Sequence, residues 1–156
     1  MELVAKAILM EGGRVWIASQ AESESRQIAD DLAVEGPVDY CTGALEDPEF
    51  CSQLAELIYQ TDGHLDVLVQ LIQASDTDYQ TLENTLSELF FQPKGKGHIV
   101  RWAWQGQLSQ ATPHTSQGLR VHALFAPPTE AAIPHVLHLA SPAAEFLQET
   151  RLSLIA

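Results

Sequence analysis

The sequence predicts an α/β fold in three layers, with helices on both faces of a mostly parallel sheet. Two observations carry that reading. Short β-rich apolar runs alternate with segments of helical periodicity, and the joints fall on glycine, proline and helix-capping residues. With 156 residues, 46% of them apolar and 19% charged, the chain is expected to form a single domain, 1–156, around one core.

The first stretch carries Leu3, Val4, Ala7, Ile8 and Leu9 at helical spacing and stops at Gly12 and Gly13, so the chain opens in a helix. "RVWIAS" follows as a strand apolar on both faces. "ESESRQIADDLAVEG" lines one face with Ile28, Ala29 and Leu32 and ends at Gly36. The pattern then repeats: "PVDYCT" as a strand, a helix capped by Asp47 with Pro48 in its first turn, and "DVLVQLI" as a strand. "TDYQTLENTLSELFFQP" is a further helix, ended by Pro93 and the glycines beyond it. "HIVRWAW" and "LRVHALFA" are strands separated by the loop-like segment 105–118. The tail is helical in pieces around Pro134 and Pro142 and closes on the short strand "RLSLIA". The count is about six strands and about five helices.

Composition narrows the function. A net charge of −13 repels phosphate backbones and anionic membrane surfaces, so neither nucleic acid nor a membrane is an expected partner. No apolar run reaches the length of a membrane span, and the N-terminal segment lacks the basic region of a secretory signal; a cytoplasmic location is the expectation. Cys41 and Cys51 then read as reduced thiols.

Few polar clusters invite chemistry. His135 and His138 stand three apart on a helical segment but have no third ligand at readable spacing, so no metal site is expected. His114 and His122 flank the last long strand and read as structural, while Asp76 and Asp78 begin a helix as caps. Trp102 and Trp104 share one face of a strand, with core packing, a plugged cleft and a subunit contact as open readings. Leu89, Phe90 and Phe91 form an apolar cluster that either closes the core or meets another subunit.

Five segments, taken in order, resemble the short-chain dehydrogenases/reductases. "VAKAILMEGGRVWIAS" looks like that family's first helix and second strand; "GHLDVLVQLIQAS" is similar to the segment closing its fourth strand on N-N-A-G. "KGHIVRWAW", "GLRVHALFAPP" and "VLHLASPAAEFLQETRLSLIA" resemble the fifth strand, the sixth strand, and the late helix with the seventh strand. The resemblance spans nearly the whole chain and implies a Rossmann-like sheet of about six strands from which the usual first strand is missing.

The departures concern the chemistry. The family's TGxxxGxG turn, which seats a dinucleotide diphosphate on a helix N-terminus, has no counterpart. Where the family holds the ribose or its phosphate with a charged residue, this chain has Gln20; where it has N-N-A-G, this chain has Gln70, Leu71, Ile72 and Gln73. The catalytic Ser position falls on Trp104, and segment 105–118 contains neither the Tyr nor the Lys of YxxxK.

Gln20, Gln70, Gln73 and Trp104 therefore read as vestiges of a cofactor edge, with no catalytic residue and no cofactor expected. The expected function is association, as a structural or regulatory subunit of itself or of a full-length member of that family. The late helix and last strand, with His135, Leu139, Phe146, Leu152 and Leu154, are the expected contact. Two alternatives stand: an NAD(P)-dependent oxidoreductase using an altered cofactor mode or a partner's residues, and a small-molecule binding module. Direct pairing of "VWIAS" with "DVLVQ" is expected to close the gap of the missing strand, with a strand from another chain as the alternative.

Overall fold

A computed structural model of the chain describes residues 2–72, 79–87, 89, 97–103, 114–116, 119–125, 129–140 and 151–153. Helix α1 (Glu2–Met10) ends in a turn at Gly12, whose φ of 83° places it where a side chain would be strained; the next amide, that of Gly13, bonds the Ile8 carbonyl at 3.0 Å. Strand β1 (Val15–Ser19), helix α2 (Glu22–Leu32) and strand β2 (Val38–Thr42) follow, and β1 pairs in parallel with β2 from Val15↔Val38 to Ser19↔Thr42. Helix α3 (Pro48–Asp62) starts as its sequence requires, with the Asp47 carboxylate accepting from the Glu49 amide at 3.0 Å.

A larger sheet forms from β3 (Val67–Ile72), β4 (Gly97–Ala103), β5 (His114–Ser116), β6 (Leu119–Phe125) and β7 (Arg151–Ser153), with helix α4 (Tyr79–Leu86) after β3 and helix α5 (Ile133–Ala140) after β6. Strands β3, β4 and β6 run parallel in that order; β5 pairs antiparallel with the first half of β6, and β7 parallel with its last three residues. The β5 strand lies inside the segment read from sequence as loop. Its residues His114, Thr115 and Ser116 carry no apolar pattern, and it is a strand because β6 offers it an edge.

The helices form two layers. Leu9 of α1, Leu32 of α2 and Val15 of β1 share one cluster, and Val4 of α1 joins Val136 and Leu139 of α5 over Val100, Trp102 and Leu124 of the large sheet. On the opposite face α3 and α4 pack together through Phe50, Leu54, Ile58, Leu82 and Leu86. Trp102, with 2% of its surface exposed, is a core residue, which decides among the three readings its spacing left open. Leu89 is buried beside α3 and α4, while Phe90 and Phe91 lie outside the described residues.

The expected pairing of β1 with β3 does not form. β1 bonds β2, β3 bonds β4, and the two sheets stand as separate ladders with no approach of β1 to β3 at pairing distance. Helices on both faces bridge the two ladders instead. Ile8 of α1 packs at once against the cluster of β1 and the cluster holding Val69 of β3, and α3 covers Trp16 and Ala18 of β1 together with Leu68 of β3.

One charge sits deep in this frame. Arg101 on β4 donates from Nε and Nη2 to the two carboxylate oxygens of Glu83 on α4, at 2.7 and 2.6 Å, with both side chains less than 10% exposed. Replacing Glu83 by Gln is expected to cost about 3–5 kcal/mol, since it strands a buried guanidinium, whereas Glu83→Leu combined with Arg101→Met should cost much less. Urea denaturation of the single and double variants measures the difference. Gly43 gives a second expectation: a Cβ there would run into the Phe50 ring, so Gly43→Ala should lower stability by about 1–3 kcal/mol in the same assay.

Candidate functional site

In a doubly wound sheet the binding crevice opens where the strand order reverses, at the carboxyl ends of the strands. Here the chain runs outward from β1 to β2, crosses by α3, and runs the other way from β3, so the reversal falls between β1 and β3.

The β1 side of the crevice is closed by its own hydrogen bonds. The Ser19 hydroxyl shares a bond of 2.6 Å with the fully buried Ser25 hydroxyl and accepts from the Ala21 amide at 3.2 Å, which fixes the turn into α2. The Gly43 amide bonds the Ser19 carbonyl at 3.0 Å and holds the loop after β2 against the end of β1. The Gln20 amide donates to both Glu46 oxygens at 3.2 and 3.1 Å, so the side chain that stands at the ribose position is itself held by a carboxylate.

The charge around this rim is acidic. Glu22 and Glu24 occupy the first turn of α2, where the helix dipole favours them, and Glu46 and Asp47 lie on the loop before α3. Arg26, the basic side chain among the described residues of this rim, bonds Glu22 at 2.9 Å and the Tyr40 hydroxyl at 2.9 Å. Its pKa is raised above the ordinary value, first by the Tyr40 hydroxyl and then by the charges around it.

On the β3 side, Gln70 is buried and stands opposite Arg101 in the β3–β4 register, on the sheet face where Glu83 of α4 holds the guanidinium. In the resembled N-N-A-G segment Gln70 takes the place of the first Asn, and Gln73 that of the Gly. Gln73 and Trp104, the other two positions of the expected edge, lie outside the described residues. Of the amides at the start of α2, that of Ala21 is taken by the Ser19 hydroxyl, and the carboxylates of Glu22, Glu24 and Glu46 stand along this rim.

The expected contact region is placed in part. Leu139 has no exposed surface and packs with Val4 and Val136 in the core of its own chain, so its side chain is spent inside the molecule. His135 is half-buried and His138 exposed on α5; Leu152 lies on β7 opposite Leu124; Phe146 and Leu154 lie outside the described residues. His114 and His122 lie on β5 and β6, with His122 opposite Val100 in register. Among the described residues no three His, Cys, Asp or Glu side chains gather as a metal site. Asp76 and Asp78 lie outside the described residues. Sequence reasoning passed over the Glu83–Arg101 pair, although an arginine inside the apolar run "HIVRWAW" is a legible signal that a buried carboxylate must answer it.

No family model matches the sequence, and no curated protein is similar to it. Solved structures are similar in fold. A short chain dehydrogenase from Mycobacterium smegmatis superposes with a TM-score of 0.79 at 17% identity, over 99% of this chain and 86% of that one. A short-chain type dehydrogenase/reductase from Mycobacterium marinum gives 0.81 at 14% identity, over 98% and 87%. A hydroxysteroid dehydrogenase from Escherichia coli gives 0.78 at 14%, over 98% and 89%. Over nearly its whole length, this chain has the fold of the short-chain dehydrogenases/reductases.

Proposed function

We propose that this chain works by association, as a structural or regulatory subunit of itself or of a full-length short-chain dehydrogenase/reductase, and carries out no hydride transfer of its own. The observation that carries the reading is the Gln20–Glu46 bond within the acidic rim of the crevice. A ribose phosphate held at the Gln20 position would meet Glu46, with Glu22 and Glu24 in the first turn of α2, and Arg26 of this rim already bonds Glu22 and Tyr40. The sequence supports it further, because the family's Ser, Tyr and Lys have no counterparts at the matching positions.

Association through the C-terminal region uses what α5 does not spend on its own core. Leu139 and Val136 hold the helix to α1 and β4, and the contact is assigned to His135 of α5 with Phe146, Leu152 and Leu154 of the segment that follows in sequence. No described helix is long and apolar enough to cross a membrane.

The fold alone favours the second reading, an NAD(P)-dependent oxidoreductase with an altered cofactor mode. Isothermal titration of the chain with NADH and NADPH separates the two: no binding tighter than about 1 mM is expected, near −4 kcal/mol, and micromolar affinity for either cofactor defeats the proposal. Light scattering behind size exclusion addresses association. A mass of twice the monomer, or a stable complex with a co-purifying full-length dehydrogenase, is expected, and a lone monomer from its native source overturns it.

A further inference from the structure

We propose that the Asp62–Gly63 link is a modification site, where the backbone isomerises to an isoaspartyl form, and that the fold restrains this reaction through Trp16, Arg14 and Tyr59. It is the one Asp–Gly pair of the sequence, which has no Asn–Gly pair. The proposal goes beyond the reading of the chain as an associating subunit and does not rest on it.

Chemistry singles out this pair. Glycine has no Cβ, so its amide nitrogen meets no side-chain obstruction in approaching the Cγ of a preceding aspartate. Attack of the Gly63 nitrogen on the Asp62 Cγ closes a five-membered succinimide; the amide proton, one carboxylate oxygen and a proton from solvent leave as water. Water then adds back across one of the ring's two C–N bonds. Opening at Cγ restores aspartate, while opening at the main-chain carbonyl leaves the chain running through Cβ and Cγ with a free carboxylate on Cα. No electrons are transferred and the mass is unchanged.

The fold holds both reacting groups. Asp62 is the last residue of α3 and Gly63 its left-handed cap, with a φ of 77° and its amide donating to the Tyr59 carbonyl at 2.9 Å, so the nucleophile is engaged in the closing bond of the helix. The electrophile is anchored elsewhere: Trp16 Nε1 donates to one Asp62 carboxylate oxygen at 2.7 Å, and Arg14 Nε pairs with the other at 3.3 Å. The residue after the glycine is tied as well, since His64 places Nδ1 3.0 Å from the Asp62 carbonyl oxygen and Nε2 3.2 Å from the Asp66 carboxylate. Ring closure must turn the rigid Asp62–Gly63 peptide plane toward Cγ, and that turn breaks the bond to Tyr59.

The same contacts give the modification its consequence. Trp16 packs against the α3 cluster, and its bond to Asp62, with that of Arg14, joins the start of β1 to the end of α3. In the isoaspartyl form the carboxylate sits directly on Cα, one carbon shorter in reach, and the main chain gains one carbon where it turns toward β3. Isomerisation therefore unties β1 from α3. It proceeds in molecules whose α3 end has opened, so the modified fraction records that opening over time.

The test is peptide mapping of the full chain by chromatography and electron-transfer mass spectrometry, which distinguish aspartyl from isoaspartyl peptides of equal mass, during incubation at neutral pH. Isoaspartate at position 62 should form at least about tenfold more slowly in the folded chain than in denaturing urea, because reaction waits on opening. Trp16→Phe, which keeps a ring against α3 without the indole donor, and Arg14→Gln each remove one bond to the carboxylate and should speed the reaction about three- to tenfold, with the Leu54 and Ile58 amides of α3 still protected from hydrogen exchange. In urea below the unfolding transition, exchange of the Gly63 amide and the rate of isomerisation should rise together. The purified isoaspartyl chain should melt below the aspartyl chain.

Equal rates in the folded and denatured chain, or no isoaspartate at position 62 in either, overturn the site. Variants that keep α3 protected yet isomerise no faster than the unaltered chain overturn the assigned restraints. Where a variant loses protection at Leu54 and Ile58, the unaltered chain decides: isomerisation that stays flat while Gly63 exchange rises overturns the coupling to opening, and a parallel rise supports it. Equal melting of the two forms overturns the consequence for β1 and α3.

Discussion

The structure depends on two helices spanning a break in the sheet. β1 and β3 exchange no backbone hydrogen bonds, so the two ladders hold their relative position through side chains: Ile8 of α1 on one face, and on the other the α3 residues Phe50, Leu54 and Ile58 over Trp16, Ala18 and Leu68. Each large side chain fully buried contributes about 1.5–3 kcal/mol, and a handful of them matches the net gain from the ladder bonds a closed sheet would have made there. The bonds of Trp16 Nε1 and Arg14 Nε to Asp62, at 2.7 and 3.3 Å, add a polar tie from the start of β1 to the end of α3.

That arrangement separates architecture from chemistry. The crevice lies where the fold puts it, at the reversal of strand order, but the side chains lining its β1 side satisfy one another: Ser19 with Ser25, Gln20 with Glu46, Arg26 with Glu22 and Tyr40. A ligand would have to displace those bonds and tolerate the carboxylates around them. The Glu83–Arg101 pair belongs to the same pattern of internal settlement, since a buried guanidinium chelated by a buried carboxylate orients α4 on β4 and is closed to solvent.

Where the sequence was legible, a local signal and the global fold agreed. The Asp47–Pro48 start of α3, the glycine turn after α1 and the continuous apolar runs of β3, β4 and β6 each name their element without outside help. β5 was not legible because its residues have no strand pattern and only the edge of β6 makes them one. Leu139 read as a contact because a helical apolar face does not say what covers it; α1 and β4 of the same chain do. The closure of β1 on β3 rested on strand pairing alone, whereas in the structure α1 and α3 bridge two separate ladders, and Gln20 was read for the charge it lacks when its bond to Glu46 matters as much.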